Sequence, residues 1–155
     1  MRLIFLTVFL LILAYPAPAQ TPQAAMPGPA KPVWGPVGPE LPKGAEIAVL
    51  QGDPAKPALF TVRLKMPQGY ILPPHYHDTE LHVTVITGEF SAGMGDRVDL
   101  PKAAVLRPGD FITVGAKQHH FDAARTAAEV QIYGLGPFSI TYVNPQDDPR
   151  RKPSR

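Results

Sequence analysis

Between residues 45 and 143 the chain is cut by turn chemistry every few residues, and little except short strands fits between the cuts. Gly52-Asp53-Pro54, Pro67-Gln68-Gly69, Asp78-Thr79, Gly88 and Pro108-Gly109-Asp110 are the clearest of these signals. The 20 Pro and 13 Gly among 155 residues supply most of this punctuation. Proline lacks an amide donor and breaks helices, while glycine tolerates the backbone angles that turns demand. What remains reads as strands over 45–50, 59–65, 70–76, 81–87, 90–94, 104–106, 111–114, 119–123, 129–135 and 138–143. Residues 59–65 show the pattern best, setting Leu59, Thr61, Arg63 and Lys65 against Phe60, Val62 and Leu64. About ten strands at this spacing predict a single all-β domain, a closed barrel or a sandwich. Residues 123–128 are alanine-rich but too few to hold a helix.

The two ends read differently. Residues 1–19 have the form of a secretory signal: Arg2, an apolar run over 3–14, then Ala17-Pro18-Ala19 before a cut between Ala19 and Gln20. The apolar run is too short for an ordinary membrane span, so stable membrane insertion is not expected and the mature chain should be periplasmic or secreted. The alternative is an uncleaved anchor. With no cysteine, neither a lipid-bearing cysteine nor a disulfide is available. Residues 20–44 form a Pro-rich arm carrying Pro22, Pro27, Pro29, Pro32, Pro36, Pro39 and Pro42, with Trp34 as its one large apolar group. Such an arm can lie along a neighbouring subunit, so a homodimer is among the expected assemblies. The barrel is expected over 45–145 and a basic tail over 146–155.

Charge excludes one partner class. Residues 45–149 hold twelve acids against eight Lys and Arg, and the basic excess sits in Arg150, Arg151, Lys152 and Arg155. Four charges on a chain end read as a solvated tail, so no nucleic-acid partner is expected.

All five histidines fall in two clusters: His75, His77 and His82, then His119 and His120. Alternate strand residues share a face, so His75 and His77 point the same way and supply half of a mononuclear metal site. A third ligand must come from a distant strand, which a barrel brings back.

Gly69-x5-His75-x-His77 followed by Gly88 resembles the first signature of the cupin superfamily, and Pro108-Gly109-Asp110 followed by His120 resembles the second. The resemblance extends to a subgroup of small, often exported single-domain cupins. It is carried there by Ile47-Ala48-Val49-Leu50-x-Gly52-Asp53-Pro54, Arg63-Leu64-Lys65-Met66-Pro67, Val83-Thr84-Val85, Gly93-Met94-Gly95-Asp96 and Gly136-Pro137-Phe138-x-Ile140-Thr141-Tyr142-Val143-Asn144-Pro145. It implies a double-stranded β-helix, a jelly-roll barrel with a divalent transition metal at its open centre: iron, manganese, zinc, nickel or copper. It also implies that His75, His77 and His120 are metal ligands, with His119 facing away toward solvent or the ligands' surroundings.

The family's glutamate ligand would stand at Leu81, between Glu80 and His82. Strand parity turns Leu81, Val83 and Val85 inward and His82, Thr84 and Ile86 outward, but a one-residue bulge at Asp78-Thr79 would reverse this. Glu80 or His82 therefore supplies a further ligand, or neither does. The second signature's usual Pro-x-Gly is replaced by Gly115-Ala116-Lys117, a turn that Gly115 can still make.

Three functions fit. The first is a mononuclear metalloenzyme, dioxygenase-like or related, acting on a small organic substrate; some cupin dioxygenases use three histidines and no carboxylate. Loss of the carboxylate raises the net charge of the site by one and favours an anionic substrate. The second is a non-catalytic module that binds or senses a metal or small ligand. The third, a purely structural barrel, leaves the histidine clusters unexplained.

Overall fold

The computed structural model describes residues 31–151. The expected leader with its Ala19–Gln20 cut, the first part of the Pro-rich arm and residues 152–155 lie outside the described residues. The described strands are β1 (Gly35–Pro36), β2 (Glu46–Gln51), β3 (Leu59–Met66), β4 (Ile71–Tyr76), β5 (Leu81–Thr87), β6 (Phe90–Met94), β7 (Ala104–Leu106), β8 (Phe111–Val114), β9 (His120–Ala124), β10 (Ala128–Leu135) and β11 (Thr141–Tyr142). Short 3₁₀ turns occupy Leu100–Lys102 and Pro145–Asp147. Among the described residues no helix is long and apolar enough to cross a membrane.

Two antiparallel sheets face each other, one ordered β1-β2-β3-β10-β5-β8 and the other β11-β4-β9-β6-β7. This is the expected all-β jelly-roll barrel. Its inner faces follow from period-two sequence. Phe60, Val62, Leu64 and Met66 of β3 are buried, as are Leu81, Val83 and Val85 of β5, while their neighbours remain partly exposed. Leu64, Met66, Val83 and Val85 meet Leu72, Phe90, Leu106 and Val130 in the main core, while Phe60, Val62 and Leu81 form a second, smaller cluster.

One irregularity sets the site. Along β4 and β9, Leu72 pairs with Asp122 and His75 with His120, so three steps on β4 match two on β9. The extra residue falls at Pro73-Pro74, where two missing amides cannot continue the ladder. This bulge lets Leu72 and His75 both face inward despite their odd spacing.

Two stretches depart from the sequence expectation. Of residues 138–143 only Thr141–Tyr142 joins a sheet, because the preceding segment is used otherwise: Phe138 N donates to Pro54 O (2.7 Å), and Ser139 turns its carbonyl and hydroxyl toward residues 77 and 78. The late part of the Pro-rich segment packs on its own barrel. β1 pairs with β2, Leu41 is buried, and Tyr70 and Tyr142 donate their hydroxyls to Pro42 O and Glu40 O, each at 2.8 Å. Trp34 lies beneath Lys65, whose Nζ is 3.8 Å from the ring centroid.

Candidate metal centre

His75 and His77 leave the end of β4, and His120 opens β9 on the neighbouring strand. All three are buried, at 0 %, 5 % and 2 % exposure, and their ligand-capable nitrogens lie within 4.8 Å of one another. The centroids of His75 and His120 are 4.1 Å apart, those of His75 and His77 4.9 Å, and those of His77 and His120 5.2 Å. The structure brings these three side chains together at one cavity.

The tautomers follow from their partners. His75 Nδ1 lies 2.8 Å from Pro73 O, His77 Nδ1 2.7 Å from Ser139 O, and His120 Nδ1 2.9 Å from Gln118 O. A carbonyl oxygen can only accept, so each Nδ1 carries the proton and each Nε2 presents a lone pair. His75 Nε2 is fully buried with no hydrogen-bond partner, an arrangement that costs free energy unless something positive answers it. Burial, reinforced by the neighbouring imidazoles, holds His75 well below its ordinary value of 6.5, and burial lowers His77 to about 4. These two imidazoles are therefore neutral near pH 7 and free to bind a metal. A three-nitrogen set of this kind fits a borderline transition-metal ion.

The sequence reasoning missed Asp122. It follows His120 by two positions on β9, shares its inward face, and lines the same cavity. Its Oδ2 lies 3.9 Å from His120 Nε2 and 4.0 Å from His75 Nε2. Burial pushes its carboxyl up to about 6.

Glu80 and His82 are placed elsewhere. β5 keeps one register against β8 from Leu81–Val114 to Thr84–Phe111, so no bulge turns His82 inward. His82 stacks between Tyr133 and Phe111 on the outer face, 4.4 and 5.9 Å between centroids, and its Nε2 lies 3.3 Å from Glu80 Oε1. Leu81 takes the inward position at 3 % exposure. His119 also points away, stacked on Tyr76 with Nδ1 2.6 Å from Asp96 Oδ1. The turn at 115–117 is made by Lys117 at φ 61° rather than by Gly115. Lys117 N donates to His77 O at 2.7 Å and its ammonium pairs with Asp78, which compensates the left-handed backbone.

The histidines open onto an apolar cavity of about 60 Å³, walled by Leu64, Leu72, Leu81, Val83, Phe90, Val130 and Phe138 among others. Phe138, its ring 5.2 Å from His77, also lines an adjoining cavity of about 170 Å³.

No protein-family model matches the sequence, and no curated protein does. Solved structures do share the fold. A protein of Methylibium petroleiphilum, provisionally named an acetylacetone dioxygenase, superposes with TM-score 0.58 at 19% identity, over 76% of this chain and 79% of that one. The polyketide cyclase RemF of Streptomyces resistomycificus gives 0.56 at 15% identity, over 68% and 75%. A cupin 2 domain-containing protein of Halorhodospira halophila gives 0.55 at 21% identity, over 67% and 73%. Two facing antiparallel sheets, the architecture shared with these structures, give this chain the cupin-type jelly-roll fold.

Proposed function

We propose that the protein binds one divalent transition-metal ion at His75, His77 and His120 and acts there on a small organic molecule. The observation that carries this reading is the convergence of three buried imidazoles, each oriented by an Nδ1–H committed to a backbone carbonyl. A bound ion would supply Lewis acidity and open coordination positions for water, substrate or dioxygen. The chain's own contribution is a dry wall. Leu64, Leu81, Val83 and Phe138 exclude water around the nitrogens and suit a ligand with an apolar body. The cyclase and the provisionally named dioxygenase that share the fold are named for small organic substrates, which agrees with this proposal.

Metal analysis of protein purified without a histidine tag tests the reading. Close to one ion per chain supports it, and close to none, after incubation with each of the five candidate metals, overturns it. We also propose export with cleavage after Ala19. The mass of the exported chain should correspond to a start at Gln20, and an intact Met1 in a membrane fraction would refute this.

A further inference from the structure

We infer that Asp122 is a fourth ligand of the proposed ion, supplying from β9 the carboxylate that Leu81 fails to supply from β5. The inference rests on the metal-binding reading above and extends it to a residue outside the histidine triad.

The ladder fixes the position. His120 and Asp122 are alternate residues of one strand, and Asp122 stands opposite Leu72, an inward residue of β4. Its side chain is 15 % exposed and points into the histidine cavity. The contacts are chemically mismatched as they stand. Asp122 Oδ2 faces the Nε2 atoms of His120 and His75 at 3.9 and 4.0 Å, and both nitrogens are acceptors because their protons lie on Nδ1. An acceptor facing two acceptors gains nothing without a cation among them. The spacing suits one. With ligand bonds of about 2.0–2.2 Å, two atoms on the same ion stand at most about 4.4 Å apart, and the distances to His120 and His75 fall inside that limit; Asp122 stands outside the group that His75, His77 and His120 form within 4.8 Å, so joining the ion requires its carboxylate to turn toward His77. The charge of the site changes as well. A carboxylate lowers a divalent centre by one unit, which removes the preference for an anionic substrate that a three-histidine site would carry.

The test uses cobalt(II) titrated into the metal-free, tag-free protein, with wild type, Asp122→Asn and the outer-face control Glu80→Gln compared. Asp122→Asn should weaken cobalt binding by at least about tenfold while leaving the melting temperature of the metal-free protein near wild type, and Glu80→Gln should bind as wild type does. Wild type is also grown with ¹³C-carboxyl aspartate, and infrared difference spectra should show the labelled carboxylate stretch shift when cobalt binds. This second measurement stands whether or not the variant folds, and it separates ligation from a through-space charge effect. An unshifted label, or an Asp122→Asn protein with wild-type affinity, overturns the assignment and leaves the three-histidine centre intact. Wild-type protein that takes up no cobalt overturns both.

Discussion

His75 and His120 are direct partners across the β4–β9 ladder, and their imidazole centroids lie 4.1 Å apart. Main-chain pairing thus sets the distance between two of the three proposed ligands. Substituting His75, His77 or His120 by Ala should reduce metal uptake to near none under conditions that saturate wild type. His82→Ala and Glu80→Ala should retain one ion per chain, because both side chains lie on the outer face of the sheet. Metal stoichiometry after dialysis checks all five.

Leu81→Ala should act through packing. Leu81 is buried against Phe60 and Val62 and forms part of the cavity wall. Truncating it should cost about 2–5 kcal/mol, read as a lower urea midpoint with unchanged slope, while ion stoichiometry stays at the wild-type level.

Alkaline pH should loosen the segment that ends the Pro-rich arm. Burial raises Tyr70 from its ordinary 10.0 to about 12, and its hydroxyl donates to Pro42 O. A group whose folded-state pKa is raised stabilises the fold fully below its unfolded value and loses that contribution as pH climbs to the folded one. Stability should therefore fall between pH 10 and about 12. Tyr70→Phe, which has no proton to lose there, should show a shallower decline in thermal melts across that interval.

Gly88→Ala should destabilise the barrel. Gly88 sits at φ +78° between β5 and β6, and a Cβ there would overlap the Ala127 carbonyl oxygen. Left-handed strain alone costs about 1 kcal/mol or more for alanine, and the overlap adds to it. Chemical denaturation of the metal-free protein measures the loss.

Strands with one wet face were legible from residue order alone. β3 alternates cleanly because Thr61, Arg63 and Lys65 meet solvent while Phe60, Val62 and Leu64 do not. β9 gave no such cue, since both of its faces are covered: Phe121 is buried on one side and His120 on the other. Without a polar outer face, Asp122 could be placed inward only by parity with His120, whose own direction the pairing with His75 on β4 settles. Residues 138–143 misled for a different reason. They have strand-forming composition, yet the hydrogen-bonding capacity of Ser139 is taken up by His77 and Asp78 instead of a neighbouring strand. The histidine pair was readable because His75 and His77 are alternate residues at the end of one strand, and His120 joined them only through the resemblance of its surrounding motif.

The carbonyls of Pro73, Gln118 and Ser139 hold the three imidazoles by groups that every amino acid possesses. Substitution of those residues can alter local shape but cannot delete the acceptors. The walls are the opposite case, since Leu64, Val83 and Phe138 contribute only side chains. Mutational drift in such a protein therefore acts unequally, leaving imidazole orientation buffered while the cavity is rewritten one side chain at a time. A lineage built on this arrangement can reshape its cavity without first dismantling the histidine cluster.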